Sequence, residues 1–195
     1  MKKENDPVFI FIAKTEGDLK LRFLINKARV MKNQMGDYEG AMEVIEEILE
    51  LSPNNRDGLL LKAGAFGELG MLKDQEKILN KIIKLYPENA EVYCLMAMKH
   101  FRINEDEEAM KYIDMSLEKG ENFDNLITKA QFLHLMSGKE NYRKYLKKAE
   151  KIDKKRLENF MKNIWISKEE YDKIAVPNPK LPEEDPDYIG FGYHG

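Results

Sequence analysis

Apolar positions along most of this chain recur every three or four residues, the period of an amphipathic helix. In the middle, Tyr93, Met96, Ala97 and His100 share one helical face. The polar run Asn104-Glu105-Asp106-Glu107-Glu108 then turns the chain, and Ala109, Tyr112, Ile113, Ser116 and Leu117 form a second face. The pattern therefore predicts two short helices packed as a pair. Pro53 and Pro87 follow the second helix of their pairs and stop it, since proline cannot continue the hydrogen-bond ladder. At the turn within each pair stands Gly36, Gly70, Asn104 or Gly138, residues able to take the left-handed conformation that ends a helix.

The pairs are copies of one another. Leu51-Ser52-Pro53-Asn54-Asn55 matches Leu85-Tyr86-Pro87-Glu88-Asn89, with the prolines 34 positions apart. The same step aligns Ala63 with Ala97 and Gln131, and Phe66 with His100 and His134. It aligns Ala41 with Ala109, and Ile45 with Leu79 and Ile113. Such self-similarity is the mark of a repeat array. Small residues at 63 and 97 let paired helices approach closely, and the bulky residue three positions later fills the adjacent gap.

Over about residues 22–153 the pattern resembles the tetratricopeptide repeat family, whose motif runs W-x2-L-G-x2-Y, then A-x3-F, then P. Gly36-Asp37-Tyr38-Glu39-Gly40-Ala41, followed by Ile45, Ile48 and Pro53, is its clearest copy. Arg29 and Gln131 stand where the small residue belongs, Gln75 where the second-helix alanine belongs, and Glu121 where the third proline belongs. The expected fold is all-α: an α-solenoid of about four antiparallel helix pairs, with repeats at 22–55, 56–89, 90–123 and 124–153. Residues 1–21 form an N-terminal segment in which Val8-Phe9-Ile10-Phe11-Ile12 is strand-like by residue type or an apolar strap over the first pair. Residues 154–175 read as capping helices through Leu157, Phe160, Met161, Ile164 and Trp165, because the open end of a stack must be covered. Ser167-Lys168-Glu169-Glu170 has the form of a capping box opening the last of them. Residues 176–195 hold four of the seven prolines and end in Tyr188, Ile189, Phe191 and Tyr193, an extended tail with sticky side chains.

Composition narrows the function. Lys and Arg number 32 against 35 Asp and Glu, a net charge of -3, whereas a nucleic-acid binder is characteristically basic. The basic stretch at 139–156 lacks the interleaved aromatics that single-strand stacking requires. No apolar run approaches the roughly 18 residues of a membrane span, and the opening residues lack a secretory pattern. The single cysteine, Cys94, permits no internal disulfide. A cytoplasmic protein is expected.

Catalytic chemistry finds little footing. His100 and His134 occupy the gap-filling position of Phe66, and Cys94 has no His or basic neighbour on its own helix to lower its pKa. No phosphate loop and no metal spacing appear, so neither cofactor nor metal is expected. An enzyme reading would rest on His134 or Cys94 and would require a strongly shifted pKa at one of them.

The resemblance implies a concave face, lined by the first helix of each pair, that holds partner peptides. Its inward positions here are Val30, Leu60, Cys94, Met98, Phe101, Phe132, Leu135 and Met136, while Gly64 and Gly67 leave bare backbone and hence a hollow. Some members of the family grip a terminal carboxylate at fixed inward positions; those read Asn26, Val30, Leu61, Glu91 and Leu95 here, which do not make that clamp. The expected function is a non-catalytic interaction module or adaptor binding an apolar or aromatic peptide in this groove. The alternative is a self-associating or autoinhibited protein whose tail, through Tyr188, Ile189, Phe191 and Tyr193, fills the groove instead.

Overall fold

Polar side chains set where the helices begin. The Asp37 carboxylate accepts from the Gly40 N–H and the Asn55 amide oxygen from the Gly58 N–H, both at 2.9 Å. Asn89 accepts from Glu91 and Val92, and Asn122 and Asn125 exchange backbone-to-side-chain bonds at 2.9 and 3.0 Å. Each cap satisfies N–H groups that the first helical turn leaves without a partner. Left-handed residues close the inner turns: Gly36 at φ 66°, Gly70 at φ 71° and Asn104 at φ 57°.

The computed structural model describes residues 7–137 and 142–163. Among them are α1 (Pro7–Val30), running into a π-helical turn at Met31–Met35, then α2 (Tyr38–Leu51), α3 (Arg56–Glu68) and α4 (Leu72–Leu85). There follow α5 (Ala90–Arg102), α6 (Asp106–Lys119), α7 (Phe123–Ser137), α8 (Arg143–Ile152) and α9 (Lys154–Asn163). The described chain is an α-solenoid of helix pairs without strands. Val8–Ile12, strand-like by residue type, are the opening turns of α1. A lone strand has no ladder partner, whereas lengthening an existing helix adds one hydrogen bond for each residue fixed. Ile164, Trp165, the capping box at Ser167 and the whole tail lie outside the described residues.

The core is a row of four apolar clusters, each shared by consecutive helices. Ala28, Ala41, Ile45 and Ile48 close the first; Leu59, Ala63, Leu79 and Ile82 the second. Ala97, Ala109, Ile113 and Phe132 close the third; Leu126, Ala149 and Phe160 the fourth. The aligned residues Ile45, Leu79 and Ile113 are all fully buried. Burying an aliphatic side chain of this size contributes roughly 1.5–3 kcal/mol, so one position repeated three times anchors the first three pairs.

Two apparent departures from the repeat resolve once burial is known. Arg29 and Gln131 are not at the tight contact: Ala28 and Ala130, one residue earlier, are fully buried and supply the small side chain. In the first pair this places eight residues between alanine and turn (Ala28 to Gly36), against seven for Ala63 to Gly70 and Ala97 to Asn104. The π-helical turn absorbs the surplus residue, with the Gly36 N–H donating to the Met31 carbonyl five residues back. Gln75 replaces alanine for a complementary reason. A Cβ on Gly67 would stand 2.5 Å from the Gln75 amide nitrogen, so the missing side chain on α3 makes room for the larger one on α4.

Candidate peptide groove

The first helices of the pairs, α1, α3, α5 and α7, line one side of the array, and α9 joins them at its far end. Between them lies an open cavity of about 1180 Å³. Its floor on α3 is backbone, because Gly64 and Gly67 carry no side chains there. Cys94, Leu95, Met98, Ile127 and Phe160 supply the apolar wall.

The rest of the wall is charged. Arg102 pairs with Glu68 at 3.3 Å and donates to the Gly67 carbonyl. Lys99, nearly buried, pairs with Glu76 at 2.7 Å, and Arg156 with Asp124 at 2.5 Å. Arg29 reaches Asp57 only at 4.0 Å. Lys32, aimed inward from the π-helical turn, lies along Gly64: a methyl group there would stand 3.5 Å from its ammonium. Desolvation holds the Lys32 pKa below the usual lysine range, opposed by the charges of Glu68 and Glu91. Desolvation likewise raises the Glu91 carboxyl above its usual range, helped by Asp124 and Asp57. Glu91 lines the cavity with its side chain open to solvent, which screens that upward push.

The eight inward positions expected from the repeat frame divide into three groups. Cys94 and Met98 line the cavity. Leu60, Phe132 and Leu135 are buried in seams between helices, Phe132 stacked on Phe101 with ring centroids 4.2 Å apart. Met136 packs half-buried against the same seam. Val30 is 41% exposed and lies off the cavity, because the one-residue offset of α1 turns Arg29, Lys32 and Asn33 inward in its place. Glu91 stood among the inward positions read from the sequence, but Arg29, Lys32, Lys99 and Arg102 were missed. The signal was the eight-residue interval from Ala28 to Gly36, which shifts the first repeat out of the common frame.

The residues of the enzyme reading have structural work. Cys94 donates to Thr128 at 3.5 Å, 34 residues on, and burial pushes its thiol pKa up to about 12. It is therefore protonated at neutral pH, the opposite of an activated thiolate. His100 stacks on Tyr112 with centroids 5.1 Å apart, and His134 meets Tyr142 edge-on. No helix among the described residues is long and apolar enough to cross a membrane.

Residues 33–99 match the family model described as tetratricopeptide repeat. The chain is also 33% identical over 88 residues to Superkiller complex protein 3 of Homo sapiens. That match takes in 44% of this chain and 6% of the human protein, so the chain spans a small fraction of its relative's length.

Proposed function

We propose, from the premise that this chain is a tetratricopeptide repeat protein, that it is a non-catalytic interaction module whose concave groove holds an extended segment of a partner protein. Repeats of this family typically mediate protein–protein interaction. The observation that carries the proposal is the single cavity running across α1, α3, α5 and α7 over the bare backbone of Gly64 and Gly67. At about 1180 Å³ it exceeds the roughly 300–1,000 Å³ of most small-molecule pockets and suits a chain of several residues. Met98, Leu95 and Ile127 would take the apolar side chains of such a segment. Methionine adapts to partners of different shape because its thioether is flexible and polarizable.

Selection of phage-displayed random 12-residue peptides on the full chain tests this. The expected winners bind wild-type protein and lose at least about tenfold in affinity on Met98→Asp. Winners indifferent to Met98→Asp would overturn the groove as the binding site.

A second reading places the chain's own tail in the groove. In its favour, α9, the last described helix, lines the cavity through Arg156, Asn159 and Phe160. A photo-crosslinker substituted at Met98 of the full chain reads this out. Crosslinks to residues 176–195 would support it; their absence at saturating illumination would rule it out.

A further inference from the structure

Most charges around the groove are spent on each other. Arg102, Lys99 and Arg156 each have a carboxylate within ion-pairing distance. Lys32 and Glu91 do not: among the described residues neither makes an ion pair, yet both line the same cavity and each feels the other's charge. They stand on different walls, Lys32 on the turn that ends α1 and Glu91 on the first turn of α5, with the bare backbone of α3 at Gly64 between them. Burial works against the charged form of Lys32, whereas Glu91 lines the same cavity with its side chain open to solvent. An unpaired charge with reduced hydration is a cost the fold carries without return.

Local structure explains how the site arises. Eight residues separate Ala28 from Gly36, the π-helical turn at Met31–Met35 takes up the surplus one, and Lys32 on that turn lines the groove beside Gly64. Single-turn π-helical segments are frequent at functional sites. Across the groove, Asn89 caps α5 by accepting from the Glu91 N–H, which fixes the first turn and leaves the Glu91 carboxylate free to point away.

We infer that Lys32 and Glu91 form a recognition site of two signs, for an extended partner segment that seats an acidic side chain at Lys32 and a basic one at Glu91. This deepens the peptide-groove reading and rests on it. A ligand carrying both charges a few residues apart, at about 3.3 Å per residue of extended chain, gives the half-buried Lys32 a counter-ion and pairs the open Glu91 at the same time. The hydration Lys32 loses is already lost in the empty groove, so the partner's acidic side chain meets a preorganised charge there. A purely apolar peptide would leave both unpaired and is selected against, as is one of single sign.

The test uses winners of the 12-residue display selection on the full chain. Expected is one acidic and one basic position in the consensus, each weakening binding about tenfold or more when changed to alanine. Lys32→Glu and Glu91→Lys should each impose a similar loss. The decisive arm is the swap: a peptide with its acidic residue changed to lysine should recover affinity for Lys32→Glu protein and lose it for wild type. That rescue also shows the variant to be folded. Winners lost on Met98→Asp but indifferent to both charge variants would overturn the inference and leave the groove reading standing. Winners insensitive to Met98→Asp as well would overturn both. If a peptide of residues 176–195 displaces the winners and shows the same swap, the two-signed chemistry holds but the partner assignment falls to the chain's own tail.

Discussion

Two seams along the concave side solve one packing problem in opposite ways. Between α5 and α7 the positions facing the groove carry large side chains, and they meet: Phe101 stacks on Phe132, Cys94 bonds Thr128, and the gap closes. Between α1, α3 and α5 the equivalent positions on α3 are Gly64 and Gly67, the ends of Lys32 and Arg102 reach that backbone, and the gap stays open as a cavity lined by charge. The repeat step is the same in both, and α3 and α5 are equally long at 13 residues. Side-chain volume at two positions per helix decides whether a seam is core or site, and the difference teaches that an apolar residue at a groove position is no sign of a groove.

The largest effect should come from opening the closed seam. Phe132→Ala removes a buried ring and its stacking partner, and is expected to cost about 3–5 kcal/mol in urea unfolding. A loss under 1 kcal/mol would mean that the seam is not packed as described.

The reverse experiment closes the open seam. Gly64→Phe is expected to abolish peptide capture while shifting Tm by no more than a few degrees, since a side chain there enters the cavity and glycine in a helix is itself unfavourable by about 1 kcal/mol. Full binding by this variant would move the site elsewhere.

Deleting Gln34 brings the interval from Ala28 to the turn to seven residues. The expected product keeps its helical circular dichroism and a Tm within about 4 °C of wild type, the equivalent of about 1 kcal/mol in a chain of this size. It loses the sensitivity of binding to Lys32. A collapse in stability would mean the π-helical turn is needed for folding rather than for aiming charge.

Smaller shifts follow from the strained charges themselves. The raised Glu91 pKa means that the folded chain holds that proton more tightly, so this contribution to stability is full below the ordinary carboxylate value and fades as pH climbs through the raised one. Glu91→Gln should therefore raise Tm slightly at pH 7 and make no difference near pH 4. Lys32→Met should also raise it at pH 7, where the ammonium is charged and partly dehydrated. A lower Tm from both would argue that these charges stabilise the free protein. The Cys94 thiol, raised to about 12, should resist a disulfide reagent at pH 8 until the protein is unfolded by urea.

Much of the architecture was legible from the residues. The glycine and asparagine at the turns, the prolines after the second helices and the apolar position shared by Ile45, Leu79 and Ile113 each express a local rule that tertiary contacts merely repeat. The candidate site was less legible, for two physical reasons. Whether Phe132 faces a groove or a neighbour depends on how tightly adjacent pairs close, and a periodicity argument does not contain that distance. Arg29 and Lys32 were hidden by one surplus residue, since rotating a helix by a single position changes which side chains face inward. Val8–Ile12 misled through residue type, because an isolated stretch of strand formers has no partner to pair with.

Among the described residues, the hydrogen bonds that Cys94, Arg102 and Arg156 make between pairs each join one pair to the next along the chain. Cys94 to Thr128 and Glu68 to Arg102 are both separations of 34 residues, Asp124 to Arg156 of 32, and the four clusters follow in the same order. Mechanically this makes the array a chain of springs in series. Load applied along its length would be felt equally by each junction, the weakest would open first, and the others would keep their shape. A groove whose walls are separate links can widen or narrow by small rotations at each junction, as a hand closes by its knuckles, with no single joint moving far.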